Sequence, residues 1–497
     1  MIVGIIDIAC FSNDKGLYSK YTNSSMHSIM PQVIGSYAER LGNLVWYYPC
    51  FDLNTLYDDI NLNVDIVFIS SYTMNAYLAY AIANIYRQHG ITTVIGGPHA
   101  RSFPEDCRKY FDYVIGLCDF DLIKKLLRTH NDRDTLGIHL TNDTQPDSLP
   151  SIKERWDFLL EVYKKTPKAV NLPVPVLSST GCVNDCEFCI DSQQKFKPFP
   201  ISDVRNDLLF LKRQNKKFNV LWHDPNFGIR FDHNMDVIEQ VDADNLSHIC
   251  EMNIHKLTER NCITLQKNNI IAVAPGLESW KSYGCKSLKG LQISDPIKKV
   301  RYINETMKMV NKYIPIIQLN MIFGLDIDTK ISHEDAFTLT EILMRKTPGI
   351  YTNFQTLTIF GESTPIGKTL EKDDRVLNIP FHLLNGFSYS NVKLLCDPSK
   401  FYMSYAYLLK AEKSFKLLCR RVSKCKPFYG KLFYFLKNLT GRLDIDHFIN
   451  LSDKIKYNQD YHNFFTGKSK DIPKELYKSI EGDLGKFYNF LPDNVFD

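Results

Sequence analysis

Segments with strand character and segments with helix character alternate along most of this chain, in two separate runs. This order is the strongest constraint on its fold. A strand, a helix and a second strand in succession close most readily as a parallel sheet with helices packed on its faces. In the first run "MIVGIIDI", "LVWYY", "VDIVFISSYT", "TTVIGGPHA" and "DYVIGL" read as strands. Between them "MPQVIGSYAERLG" and "NAYLAYAIANIYRQHG" have helical spacing and stop at Gly42 and Gly90, residues suited to a helix C-terminus. A polar stretch, "THNDRDTLGIHLTNDTQPDSLPS", reads as a linker, and "IKERWDFLLEVYKK" as a helix at its far end.

The second run has six candidate strands: "VPVLSS", "FNVLWH", "HICEMN", "IIAVAPG", "PIIQLNMIFG" and "NFQTLTIF". Helical segments lie between them, among them "SHEDAFTLTEILMRK", which Ser332 and Asp335 would open much as a capping box does. Six strands with intervening helices suggest a barrel or a large part of one, with its site at the carboxyl ends of the strands. From about residue 373 the periodicity is mostly helical. The expected fold class is α/β. Residues 1–128 form an N-terminal Rossmann-like parallel sheet and 129–172 a linker. Residues 173–372 form a partial (β/α)6 TIM-type barrel, and 373–497 a mostly helical C-terminal region.

Bulk properties narrow the class. A chain of 497 residues is too long for one ordinary domain. The net charge of +4 is small for this length, so composition makes no case for nucleic acid. No apolar run approaches the ~20 residues of a membrane span. The opening "MIVGIIDIAC" is interrupted by Asp7 and has no basic stretch before it, so it reads as a first strand and not as a signal peptide. Thirteen cysteines, odd in number and irregularly spaced, argue against a disulfide framework. They suit a reducing cytoplasm in which thiols are available to metal.

Three of those thiols stand together in "GCVNDCEFC", as Cys182, Cys186 and Cys189, directly after the first strand of the second run. A structural zinc site takes four ligands, usually from two Cys-x-x-Cys knuckles, and no second knuckle follows. Three thiolates on one loop suit a four-iron cluster whose fourth iron stays open. A non-catalytic protein that holds zinc or senses iron is the alternative of another class.

The spacing Cys-x-x-x-Cys-x-aromatic-Cys, with Phe188 as the aromatic residue, resembles the signature of the radical S-adenosylmethionine (SAM) enzymes. The resemblance implies that Cys182, Cys186 and Cys189 hold a [4Fe-4S] cluster. Its open iron would chelate SAM, and an electron from an external donor such as flavodoxin or ferredoxin would release a 5′-deoxyadenosyl radical. Later segments are similar to the family in the expected order. "VLWHDPNFG" places Asp224 and Asn226 where polar groups meet the SAM amino group. "PGLES" places Glu278 and Ser279 at the ribose, and "NMIFGLDID" places Gly324 at the adenine. "TIFGESTPI" departs from the usual pattern, since Phe360 and Glu362 stand where two prolines are common. Strand alternation sets His223 opposite to Asp224.

The first run resembles the cobalamin-binding domain that precedes the barrel in one branch of this family. The resemblance implies a corrin ring against Gly96 and Gly97, and hydroxyls of Ser71 and Thr73 at its nucleotide tail. The Asp-x-His-x-x-Gly motif that ligates cobalt in mutases is absent. His99 either faces the domain junction or is a surface turn residue, and the second reading is favoured. The function implied is cobalamin-dependent C-methylation of an unactivated carbon. The alternative within the family is rearrangement, oxidative cyclisation or cleavage without methyl transfer. The substrate, whether small molecule, lipid or peptide, is not specified by any motif.

Between Lys410 and Arg442 there are ten Lys or Arg and one acidic residue, Glu412, with aromatics interleaved in "CKPFYGKLFYFLKNLTGR". One reading is a solvated helical face with its aromatics packed on the barrel. The other is a surface for anionic partners. Cys419 and Cys425 lack the further ligands that a second cluster would need.

Overall fold

The computed structural model describes residues 1–8, 28–129, 136–166, 173–214, 216–280, 295–325, 333–440 and 443–496. Ser332, expected to cap a helix, lies outside the described residues. The chain divides into two compact units.

The first unit comprises Met1–Leu172 with two returning segments, Pro380–Asn385 and Lys474–Asp497. Its strands are β1 (Ile2–Ile8), β2 (Leu44–Cys50), β3 (Ile66–Ser70), β4 (Thr92–Gly96), β5 (Tyr113–Ile115) and β6 (Ile138–Leu140). They form one sheet in the order β2-β1-β3-β4-β5-β6, and every pairing is parallel. The chain leaves β1 to one side for β2 and returns on the other side for β3. This puts the switch point, where such sheets bind ligands, beyond the carboxyl ends of β1 and β3. β6 lies within the stretch expected as a linker and pairs with β5.

The helix Ala76–Gln88 is buried on almost every side, with Ala76, Ala79, Ala81 and Ala83 among its buried residues. Small side chains let it lie close to the sheet. Its remaining face is covered by the returning segment: Asn84 Nδ2 donates to the Phe490 carbonyl at 3.0 Å, and Ile480, Leu484 and Phe487 join the same core.

The second unit comprises Pro173–Ile379 and Gly386–Pro473. Its main strands are β7 (Val174–Val176), β10 (Phe218–Trp222), β11 (Leu246–Asn253), β12 (Ile270–Glu278), β13 (Ile316–Phe323) and β14 (Tyr351–Thr356). These are the six strands expected from the sequence. They lie side by side in chain order, all parallel, with β7 and β14 at the two edges. A small antiparallel pair, β8 (Ser179–Thr180) and β9 (Lys197–Pro198), stands after β7. An exposed parallel edge needs a cover. At β14 the Glu412 carboxylate accepts the Thr352 N–H at 2.9 Å, and Arg421 pairs with Glu412 at 2.6 Å while donating to the Ile350 carbonyl at 2.7 Å. The helices Pro398–Glu412 and Leu443–Tyr457 pack through Tyr402, Tyr405 and Phe448. Among the described residues no helix is long and apolar enough to cross a membrane.

Candidate functional site

Because all six strands of the second unit run the same way, their carboxyl ends share one edge of the sheet. The cysteine loop hangs from that edge. β8 and β9 pinch it closed through the pairs Ser179↔Pro198 and Thr180↔Lys197. Gly181 makes the sharp entry at φ +66°, and a Cβ there would lie 2.5 Å from the Lys195 carbonyl oxygen, so no other residue fits. Inside the loop the Cys189 N–H donates to the Cys186 carbonyl at 3.1 Å. The Ser192 hydroxyl lies 2.7 Å from the carbonyls of both Cys186 and Cys189. Asn184 directs its backbone N–H and its Nδ2 at Cys182 Sγ, 3.5 and 3.3 Å away.

Cys182 and Cys186 are buried and Cys189 is half-buried. Among the described residues no three His, Cys, Asp or Glu side chains are gathered as closely as a single ion requires. The donor chemistry of the loop is that of a sulfur-bound group: three thiols, N–H donors on one sulfur, and no fourth cysteine in the loop.

Phe188 leaves the loop to pack on Leu325, Leu357, Ile359, Leu370 and Val392. These residues follow β13 and β14. Beside it the Ile366 N–H donates to the Glu187 carbonyl at 3.0 Å. A loop that starts after β7 at one edge thus touches the segment after β14 at the other edge. The sheet is curled, as a partial barrel is, and the cysteine loop spans its seam. The stretch with Phe360 and Glu362 leads into this contact, where Thr364 caps the helix Pro365–Lys372.

Asp224, just past β10, is buried. Its Oδ1 accepts the hydroxyls of Ser178 and Ser179, each at 2.6 Å, and its Oδ2 accepts the Ser178 N–H at 3.0 Å. Burial raises its pKa above the ordinary carboxylate value, and these hydrogen bonds oppose the rise. The side chain expected at the SAM amino group therefore fastens the residues that lead into Cys182. Arg230 adds to the clamp by donating to the Ser178 carbonyl at 2.7 Å. Asn226 Oδ1 accepts the N–H groups of Gly228 at 3.2 Å and Asn253 at 3.3 Å, joining the ends of β10 and β11.

Glu278 ends β12 at φ +62°, buried, where the register with β13 shifts. A left-handed glutamate is uncommon, and such strain collects at functional sites. Gly276 makes room for it, since a Cβ there would collide with the Glu278 carboxylate. Ser279 is buried beside it. Gly324 follows β13 at φ +109°, with a Cβ position 3.0 Å from Leu357. Backbone geometry alone demands glycine there.

Among the described residues two buried polar atoms on this edge find no partner: Thr180 Oγ1, next to the cysteine loop, and Asn253 Oδ1, at the end of β11. Buried polar atoms are almost always hydrogen-bonded, so each is a group that a ligand atom or a water would satisfy. Neither was singled out from sequence; the one available signal was a polar residue closing an apolar strand. His223 is half-buried, and burial lowers its pKa to about 4. It follows the alternation of Asn219 and Leu221 on the half-exposed face of the sheet. That face is polar. Ser247 donates to Asn219 at 2.6 Å, and Gln318 and Asn353 both donate to Asn320 Oδ1, at 3.0 and 3.3 Å. A closed TIM barrel fills this space with branched apolar residues.

In the first unit the residues expected at a cofactor stand at the ends of β3 and β4. Gly96 has no atom within 4 Å of a Cβ position, so bare backbone meets open space there. Gly97 is different: at φ +93° its Cβ position is crowded by Ser70 and Ser71, and the turn itself requires glycine. Ser71 donates to the Tyr72 carbonyl at 2.9 Å, and Thr73 Oγ1 faces His99 Nδ1 at 3.4 Å, so both hydroxyls are engaged inside the unit. Asn75 Nδ2, close by, is buried and finds no partner among the described residues. This amide and the bare backbone of Gly96 are what the edge offers a large ligand.

His99 is not the surface residue expected from sequence. It is fully buried, with Nε2 2.6 Å from Tyr80 Oη, which in turn donates to Asp106. Burial lowers its pKa to about 4. Phe381, on a returning segment, lies edge-on to it at 5.1 Å. Asp7, at the switch point, is also buried. Burial raises its pKa to about 7 against hydrogen bonds from the Ser28 N–H and Tyr47.

No protein-family model matches the chain. Among curated proteins it is similar to the bacteriochlorophyllide d C-8(2)-methyltransferase of Chlorobaculum tepidum, at 25% identity over 300 residues. The match covers 55% of this chain and spans 62% of the length of that relative. Among solved structures it is similar to the radical S-adenosylmethionine methyltransferase TsrM of Kitasatospora setae with cobalamin and a [4Fe-4S] cluster bound. The TM-score is 0.54 and the identity 12%, over 75% of each chain. The same enzyme with tryptophan substrate and a SAM analogue gives a TM-score of 0.52 at 12% identity, over 75% of this chain and 76% of that one. The expected architecture, a parallel sheet followed by an open parallel barrel, is the fold these structures share with the chain.

Proposed function

We propose that this chain, which has the fold of the radical SAM enzymes that carry an N-terminal cobalamin-binding-like domain, methylates an unactivated carbon of a polar substrate. The observation that carries this reading is the cysteine loop on the carboxyl edge of the open barrel, flanked by strained Glu278 and by Thr180 and Asn253, which find no partner among the described residues. Bound there, a [4Fe-4S] cluster would supply the electron for reductive cleavage of SAM, and a cobalamin on the first unit would supply the methyl group.

The protein's own part is to hold and orient. Cys182, Cys186 and Cys189 would be the cluster thiolates, with Asn184 donating to the first of them. Asp224 would fix the loop entry and keep one oxygen lone pair toward the SAM amino group. Thr180 and Asn253 would hydrogen-bond SAM or the substrate. Glu278 and Ser279 would receive the ribose, and Gly324 would let backbone approach the adenine. The polar face of Asn219, Ser247, Gln318, Asn320 and Asn353 would orient a substrate rich in hydrogen-bonding groups. Gly96, Gly97 and Asn75 would face the corrin, with Ser71 and Thr73 supporting the turn. The electron would come from an external donor such as flavodoxin or ferredoxin.

The test is anaerobic reconstitution with iron and sulfide, then titration with hydroxocobalamin and incubation with SAM and reductant. The expected results are a visible iron–sulfur absorbance bleached by dithionite, a cobalamin complex, and release of 5′-deoxyadenosine. A zinc ion with a fourth protein ligand at the cysteines would overturn the whole reading. A loaded cluster without cobalamin binding would overturn methyl transfer alone.

A further inference from the structure

The helix Phe428–Thr440 is amphipathic in the wrong sense for a surface that meets water. Its inward side carries hydrogen-bonding groups: Tyr434 is buried, donates to the Gly349 carbonyl at 3.0 Å and accepts the Ile317 N–H at 3.3 Å, with Asn438 buried one turn on. Its outward side carries Phe428, Leu432, Phe435 and Leu436, at the i, i+4, i+7 and i+8 spacing of one helical face, with Tyr429 beside them. Phe428 is 79% exposed, and Phe415 at the start of the preceding helix Phe415–Lys424 is 71% exposed. The expectation that the aromatics of this region pack on the barrel fails for these residues. Tyr434 and half-buried Phe433 do pack there.

Basic residues surround the apolar face. Lys416, Arg420, Lys424 and Lys426 are exposed and Lys431 is half-exposed, and among the described residues none of the five has an ion pair. A cleft of about 290 Å³ opens beside Tyr429. Lys312, Lys424 and Lys426 line it with Asn311 and Cys425. Three lysines that have no ion pair among the described residues, next to exposed aromatic and aliphatic side chains, match a phosphate-bearing headgroup above an acyl layer. Contiguous exposed apolar surface on a protein marks an interaction site. The aliphatic residues Leu432 and Leu436 have no role in stacking on bases, so the face fits lipid better than nucleic acid.

We propose that the helices Phe415–Lys424 and Phe428–Thr440 dock this protein on the surface of an anionic phospholipid bilayer. Phe428, Leu432 and Phe435 enter the interface, and the Lys312–Lys424–Lys426 cleft takes a headgroup phosphate. The docking face adjoins the amino ends of β13 and β14, through Pro315, Ile317 and Gly349. It therefore lies at the opposite edge of the barrel from the cysteine loop, and the site stays open to water. The proposal needs no cofactor to be bound.

The test is co-sedimentation of the full-length chain with vesicles of phosphatidylcholine alone and of phosphatidylcholine mixed with phosphatidylglycerol. The expected result is binding about tenfold or more tighter to the mixed vesicles. Phe428→Ser with Leu432→Ser should abolish it. Lys312→Gln with Lys424→Gln and Lys426→Gln should remove the anionic preference. These residues are exposed, so the circular dichroism spectrum should be unchanged. Equal binding to both vesicles, or full binding by the Phe428→Ser/Leu432→Ser variant, overturns the proposal. So does a concentration-dependent dimer that this variant loses, which would make the face a subunit contact. Tighter binding to single-stranded RNA than to the mixed vesicles overturns it in favour of nucleic acid.

Discussion

Asp224 at the end of β10 holds Ser178 at the end of β7, with the Ser178 hydroxyl 2.6 Å from Oδ1 and its N–H 3.0 Å from Oδ2. Two neighbouring strands are thereby tied at the point where the chain enters the cysteine loop. Asp224→Ala leaves two buried hydroxyls and an N–H without their acceptor, at a cost of about 1–3 kcal/mol per unsatisfied group. Iron per chain after reconstitution should fall and the thermal midpoint should drop. Asp224→Asn, which keeps one acceptor oxygen, should fall between the wild type and the alanine variant.

Cys186→Ala should abolish SAM cleavage and leave the chain folded. The side chain is small and buried, so the packing loss is slight beside the loss of one thiolate. The readouts are 5′-deoxyadenosine by chromatography and secondary structure by circular dichroism. Production of 5′-deoxyadenosine at the original rate would exclude Cys186 as a cluster ligand.

The adjacent glycines of the first unit should respond differently. Gly97→Ala forces a Cβ against Ser71 backbone at φ +93° and should destabilise the unit by roughly 1–3 kcal/mol. Gly96→Ala meets no atom within 4 Å and should leave the unfolding midpoint unchanged. If Gly96 faces the corrin, the same variant should weaken hydroxocobalamin binding about tenfold. Unchanged cobalamin affinity in stable Gly96→Ala protein would place the cofactor elsewhere.

Asp7 and His99 make the stability of the first unit depend on pH in opposite directions. The Asp7 pKa is raised from 3.8 to about 7, so the folded state holds that proton more tightly. Its contribution is fully present below 3.8 and is lost as pH rises to about 7. By linkage the change is on the order of 4 kcal/mol. The His99 pKa is lowered from 6.5 to about 4, so its contribution is present above 6.5 and is lost as pH falls to about 4. Urea unfolding from pH 4 to 8 should show Asp7→Asn gaining on the wild type as pH rises. His99→Gln should gain as pH falls.

Arg421→Ala leaves the fully buried Glu412 carboxylate without its guanidinium and should cost about 3–5 kcal/mol. Lys470→Ala breaks an ion pair whose two side chains are 80% and 76% exposed, and the unfolding midpoint should not move. Equal effects of the two substitutions would remove the buried pair as the clamp on the β14 edge.

The strands were legible in two ways: "IVFIS" of β3, buried on both faces, is a nearly continuous apolar run, and "IIQLNMIF" of β13 alternates buried apolar residues with half-buried ones. β6 was not legible. Its three residues, Ile-His-Leu, sit in polar sequence, and what makes them a strand is backbone pairing to Tyr113–Ile115. His99 was misplaced for a related reason. Turn chemistry put it at the surface, but Phe381, almost three hundred residues later, covers it, and no local pattern encodes that return. Glu278 and Asp224 were found as residues but not as conformations. The left-handed φ of one and the serine clamp of the other depend on how strand ends meet. Thr180, Asn253 and Asn75 escaped notice because a lone polar side chain at a strand end carries no distinguishing spacing.

Phe188 sits between Cys186 and Cys189 in sequence, and its ring is wedged among side chains from beyond β13 and β14. Whatever stiffens those two cysteines also latches the first strand of the barrel to the last. If those thiols hold a cluster, chelation should loosen this seam while the rest of the chain stays folded, and resistance to proteases at the seam should track iron occupancy.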